Sequence, residues 1–288
     1  MKWLAFFLAL FLFGCGDSPP GDKRLLEKLR ILAVVASSPE AYPEQSITII
    51  PVISDINGSG RELTLKVEGC PYEDIVEDDE NTCRQSKHRA ELFSGTVSGH
   101  LSPDSIGIPA FSSPNYTGAL KAISVVLPES DIIFSDKSGF QQYLGVNYAI
   151  TLEIWANGLE NSVKGYKKVK VSVNTRKNLN PDINDFLYKG QSFLTFPTDD
   201  VSITPGFGQG SQENYTSYDF STGTQENKDE TLTVSWMVSD GDLRYYNTEN
   251  ENSVSFSPPV KIEAARNLVL VGVVRDGRGG TDVLIRYY

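Results

Sequence analysis

Few side chains in this sequence can do chemistry at neutral pH. The chain has two His, His88 and His100, and three Cys, Cys15, Cys70 and Cys83. Cys70, Cys83, His88 and His100 share one region, but they lack the short Cys-to-Cys step with which a zinc site grips its metal. Nucleophilic catalysis needs a base held against a Ser or Cys. No Gly-x-Ser-x-Gly elbow is present, and Lys87-His88 and Ser98-Gly99-His100 read as loop sequence. The Gly-rich stretch Pro205-Gly206-Phe207-Gly208-Gln209-Gly210 opens no helical pattern, so it is not a phosphate or dinucleotide loop. Carboxylates are plentiful. Residues 73–80 read EDIVEDDE, and Asn180-Pro181-Asp182-Ile183-Asn184-Asp185 forms a second polar cluster. Oxygen ligands at such density suit Ca²⁺, yet neither stretch has the Asp-x-Asp-x-Asp-Gly order. The first reads as a solvated acidic loop and the second as a turn-forming linker. No metal or cofactor is expected. A pair of carboxylates acting on a glycosidic bond is the one enzymatic chemistry the composition supplies.

The amino terminus carries a sharper signal. Lys2 precedes an uninterrupted apolar run over 3–13, long enough for a secretory signal and too short to span a bilayer. The run ends in Leu12-Phe13-Gly14-Cys15, which resembles the bacterial lipobox. The resemblance implies cleavage after Gly14 and acylation of Cys15. It makes 1–14 a signal peptide and 15–29 a lipidated Gly/Pro/polar tether. Gly16 is not the Asp that resembles an inner-membrane retention signal, so a lipid anchor in the outer membrane is expected. In that oxidising compartment Cys70 and Cys83 are the remaining thiols, and an even pair reads as a disulfide, with zinc or free thiols as the other states.

These groups must be positioned by strands. Hydrophobic residues alternate with polar ones at Leu63-Leu65-Val67, Tyr148-Ile150-Leu152-Ile154, Val169-Val171-Val173 and Leu232-Val234-Trp236-Val238. Asn157-Gly158, Asp240-Gly241 and Asp276-Gly277 supply turns between them. No long amphipathic helix is found, and 31–35 reads as a first strand. The pattern predicts an all-β chain of two tandem Ig-like antiparallel β-sandwiches. The first covers 30–175 with an insertion at about 69–118, the second covers 185–288, and 176–184 is the linker, where alternation stops and Asn, Asp and Pro accumulate. Within the insertion, 91–97 is expected to form a strand. With 26 Lys and Arg against 37 Asp and Glu the net charge is −11, so a phosphate backbone is repelled and nucleic acid is excluded as a partner.

Leu29-Arg30-Ile31-Leu32-Ala33-Val34 with Ser38-Pro39-Glu40 and Pro43-Glu44 resembles the opening of Ig-like lipoproteins of predatory and gliding bacteria. Leu232-Thr233-Val234-Ser235-Trp236, Ser253 to Pro259 and the Asp276-Gly277-Arg278-Gly279-Gly280 turn are similar to a PKD-like or Ig-like repeat. The resemblance implies a core Trp at 236 and a hairpin between the last two strands. It implies architecture and compartment, not a reaction. The expected function is therefore a non-enzymatic structural, adhesion or ligand-binding module of the envelope, contacting an unknown protein or glycan. An envelope-polymer hydrolase with paired carboxylates is the alternative. Tyr215, Tyr218 and Phe220 in the loop 205–228, together with Tyr245, Tyr246 and Trp155, are the candidate contact aromatics, and the 69–118 and 205–228 segments the candidate surfaces.

Overall fold

The structure, a computed structural model, describes residues 23–58, 61–72, 83, 86–98, 122–156, 162–192, 198–219, 221–259 and 268–288. The first half holds β1 (Arg30–Ala36), β2 (Glu40–Ala41), β3 (Ser46–Ser54), β4 (Glu62–Pro71), β5 (Ala90–Ser98), β6 (Ile123–Val126), α1 (Ser130–Ile133), α2 (Gly139–Leu144), β7 (Val146–Ala156) and β8 (Val163–Val171). The second holds β9 (Ile183–Tyr188), β10 (Gln191–Ser192), β11 (Val201–Phe207), β12 (Asn214–Asp219), β13 (Thr224–Asp229), β14 (Thr233–Val238), β15 (Asp242–Leu243), β16 (Asn247–Glu249), β17 (Val254–Ser257), β18 (Val269–Arg275) and β19 (Thr281–Tyr287). The described chain is all-β, and its sheets are antiparallel apart from the short β2–β8 pairing.

Sheets β1-β3-β6 and β2-β8-β7-β4-β5 close on one core. Alternate residues of each strand enter it, among them Val34, Ile49, Leu63, Leu65, Ile150 and Leu152. Sheets β10-β9-β11-β17-β15 and β16-β14-β18-β19 close on a second. Trp236 fills it, fully buried, with its indole N–H donating to Thr248 Oγ1 at 2.8 Å and its ring 5.3 Å from that of Phe186. Opposite Phe186 stands Gly272, where a Cβ would lie 2.8 Å from the ring. Between β18 and β19, the Asp276 carboxylate accepts the amides of Arg278 and Gly280, with Gly277 and Gly279 at positive φ.

A third apolar core lies between the two halves. Leu32, Ala33, Val35 and Val52, on the outer faces of β1 and β3, meet Met237, Val269, Val271, Val273, Val283 and Ile285 on β14, β18 and β19. Four sheets are thus stacked, and β1, β14 and β18 of the two inner ones are buried on both faces. This is why β1 and β18 read as continuous apolar runs where a half-exposed strand alternates. Arg275 also crosses the seam, donating to Ser235 Oγ and to the carbonyl of Leu32.

The described part of the expected tether, 23–29, and the expected linker are folded in. Within the tether expected over 15–29, Leu26 and Leu29 are buried, and Leu26 N–H and Val238 N–H tie 24–26 to β14. In the expected linker 176–184, Asn178 is buried and donates to Asp276, while Asn180 donates to the Ala36 carbonyl and accepts from Thr281 N–H. Of the expected insertion 69–118, β5 is described and is an integral edge strand, paired along β4.

Candidate functional site

The cysteines come first. Cys70, at the end of β4, and Cys83 form a disulfide with Cα atoms 5.7 Å apart, packed on Ala149 beside Tyr72. His88 is exposed on the loop before β5. Cys15, His100, Phe220 and the acidic run 73–80 lie outside the described residues. The contacts of Asp182 and Asp185 are structural, those of Asp182 through its main chain. Asp182 N–H donates to Ser211 Oγ, and the Asp185 carboxylate pairs with Arg286 at 2.5 Å and accepts Phe186 N–H. Among the described residues no group of three or more His, Cys, Asp or Glu is placed to hold a metal ion. Trp155 is half-buried on β7, facing Thr64 across the sheet, and Tyr245 is exposed against Arg244.

The aromatics of 205–228 have a different setting from the loop expected there. β12 and β13 form a two-stranded hairpin that stands apart from both sandwiches. Its strands have no apolar face to bury, and β13 is exposed throughout. Polar cross-strand pairs hold it, Thr216 to Asn227 at 3.1 Å and Asn214 to Asp229 at 3.0 Å. At the tip, the Asp219 carboxylate accepts the hydroxyl and amide of Ser221, which holds it below the usual carboxylate range, and Gly223 takes the positive φ of the turn.

The root of the hairpin is an ion-paired knot. Glu230 is buried, and its carboxylate accepts Glu213 N–H at 2.9 Å and Arg278 Nη1 at 2.5 Å. Burial pushes the Glu230 carboxyl up, and the Arg278 guanidinium opposes that. Arg278 also reaches Glu213 at 3.6 Å and stacks 4.2 Å from the Tyr215 ring centroid.

Between this hairpin and the first half lies a cleft of about 400 Å³. The facing wall is α2, one and a half turns long. It starts at a capping box in which Ser138 Oγ accepts Gln141 N–H and the Gln141 side chain accepts Ser138 N–H. The box aims Phe140 and Tyr143 outwards, both about half exposed. The Phe140 ring meets Tyr218 edge-on at 5.0 Å, so the cleft is closed across its mouth by one aromatic pair. Its floor is Glu40, Lys170, Arg176 and Lys177. Ser172 Oγ donates to Glu40 at 2.5 Å, and Asn178 N–H donates to the same carboxylate. Lys177 donates to the Ser172 carbonyl at 2.7 Å and sits 3.6 Å over the Tyr42 ring, and desolvation lowers its pKa. Arg176 donates to the carbonyl of Asn214 at 2.7 Å, bridging floor and hairpin. Four cations and two carboxylates line the cleft, a local positive excess in a chain of net charge −11.

The sequence pointed to Tyr215 and Tyr218 and missed Phe140, Tyr143, Arg176, Lys177 and Arg278. The Ser138-x-x-Gln141 pattern was the available signal for α2. No residue pattern marked Arg278, which reaches the cleft from the β18–β19 turn. No protein-family model matches the chain, and no similar protein was found among the curated ones.

Proposed function

We propose that this chain is a lipid-anchored envelope protein, held in the outer membrane through Cys15, whose work is binding and not turnover. The observation that carries the reading is the cleft between α2 and the β12–β13 hairpin. It offers aromatic rings and cationic side chains on walls fixed by two sandwiches, the arrangement by which rigid scaffolds present recognition surfaces. Its carboxylates are engaged: Glu40 by Ser172 and Asn178, and Glu213 by Arg278 and Leu179 N–H. The lipobox resemblance and the disulfide between Cys70 and Cys83 support an oxidising, extracytoplasmic location.

The alternative, a hydrolase of envelope polymers, has one observation in its favour. Glu230, pushed up by burial, stands next to Glu213 behind the cleft. Turnover of purified peptidoglycan or glycan, lost in Glu230→Gln, favours that alternative.

Amide exchange on the intact lipoprotein, with and without solubilised envelope, tests the binding reading. Protection is expected over 139–144 and 214–229. Protection confined to other surfaces overturns the assignment of the cleft. Unchanged membrane association and fatty-acid labelling in Cys15→Ala overturns the anchor.

A further inference from the structure

We infer that the cleft takes an extended, carboxylate-bearing polypeptide segment, which adds to β12 as a third strand. The inference rests on the cleft being the binding site and names what fills it.

Among the described residues β12 pairs with β13 alone, and no strand lies along its other edge. The pairing alternates. Glu230 N–H donates to the Glu213 carbonyl, which makes Glu213 and Glu230 a hydrogen-bonded pair. By the antiparallel rule the next such pair is Tyr215 with Lys228, followed by Ser217 with Glu226. The main-chain groups of Asn214, Thr216 and Tyr218 therefore point away from β13. The Asn214 carbonyl verifies the direction, because Arg176 on the cleft floor is its donor. All of 214–218 lines the cleft. Thr216 thus presents an N–H and a C=O to the open space, with the spacing of a sheet edge.

The two edges of the hairpin differ in a telling way. Exposed edges are normally blunted by charge, proline or bulges. β13, TQENKD, carries Glu226, Lys228 and Asp229 and is exposed at every position. β12, NYTSYD, has no Lys, no Pro and no bulge, and its one charge is at the tip. The hairpin protects its outward edge and leaves the cleft edge available. Strand addition takes affinity from the main chain and selectivity from neighbouring side chains. Here those neighbours are Arg176 and Lys177 below, and Phe140 and Tyr143 opposite. The cationic floor selects a carboxylate, and the rings accept apolar side chains from the opposite face of the added strand.

The test pans a displayed library of random heptapeptides against the intact protein. The best binder is then resynthesised with single backbone N-methyl groups at each position. Acidic sequences are expected. N-methylation should weaken binding about tenfold or more at alternate positions and little at those between, a pattern that leaves the protein untouched. Binding should protect the amide of Thr216 from exchange. Thr216→Pro removes an N–H that β13 does not use, together with the Thr216–Asn227 side-chain pair. Thr216→Val, which loses the pair and keeps the N–H, is its control: the first should weaken binding by a similar factor and the second should not. Uniform tolerance of N-methylation, or no peptide selected above background, overturns the inference. So does an acidic oligosaccharide, such as oligogalacturonate, that occupies the cleft and is lost with Arg176→Gln. That last result leaves the cleft as the binding site, whereas envelope protection away from 139–144 and 214–229 removes both.

Discussion

The two halves of the chain meet at a seam and at a cleft, with opposite materials. At the seam, β1 and β3 press Leu32, Val35 and Val52 onto Met237, Val271 and Val273, and Arg275 reaches the carbonyl of Leu32. At the cleft, contact is made by one aromatic pair, Phe140 with Tyr218, and by Arg176 on a carbonyl. The seam excludes water and sets the relative position of the sandwiches. The cleft, positioned by that seam, can leave its polar groups and rings uncovered without losing shape. Stability and recognition are thereby assigned to different places, and a change at one should scarcely move the other.

The strongest way to break this division is to charge the seam. Val271→Asp places a carboxylate in a fully buried apolar layer, and should cost about 4 kcal/mol or more, unfolding or separating the halves. Chemical denaturation and light scattering read the outcome. Opening the disulfide by Cys70→Ala with Cys83→Ala comes next, at about 3 kcal/mol by the closed-loop model, with the cleft unaffected.

Lys167 sharpens the comparison through pH. It reaches from β8 into the β18–β19 turn, donating to Gly279 O and Thr281 Oγ1, and burial lowers its pKa to about 8. Below pH 8 folded and unfolded chains both hold the proton, and the burial penalty is fully present. Between pH 8 and the ordinary lysine value the unfolded chain holds a proton the native one has lost. Stability therefore rises with pH through that window, by about 3 kcal/mol in full. Lys167→Met should remove most of the rise, leaving the smaller part that comes from Lys177, whose pKa burial also lowers. Denaturation curves compared from pH 8 to 10 suffice, since Tyr148, pushed up to about 12, makes stability fall only above pH 10.

The smallest effect on stability is expected at the cleft. Phe140→Ala loses one exposed edge-on pair, about 1 kcal/mol or less. It should nevertheless weaken cleft binding severalfold. A loss of stability as large as that of Val271→Asp would show that cleft and seam are one cooperative contact.

The all-β class, the strands at 63–67 and 148–154, the Trp236 core and the 276–280 hairpin were legible because period-two alternation and Gly-bearing turns are local signals. The seam was not, although its trace was present. RILAVVA and VLVGVVR are apolar on both faces, a pattern that announces double burial without naming the partner. Asn178 and Asn180 looked like linker residues because Asn and Asp favour turns. Their side chains serve instead as bridges to Asp276 and Ala36. The cleft was half legible. Tyr215 and Tyr218 stood out by type, but Arg176 and Arg278 became neighbours of those rings only through the stacking of four sheets.

The docking of 24–29 beside β14 bears on how the chain assembles. Arg24 donates to the carbonyl of Leu243 across 219 residues of sequence, and Leu26 bonds Val238. The first strand belongs to two cores, one of which is completed by β18 and β19 at the other end of the chain. A chain emerging from the ribosome amino end first would keep that opening strand waiting until its last segment emerged. Long-range closure of this kind is slow. During the wait RILAVVA would be an uncovered sticky edge, a natural client for a holdase chaperone, and the final zipping of the carboxyl-terminal hairpin would be the step that releases it.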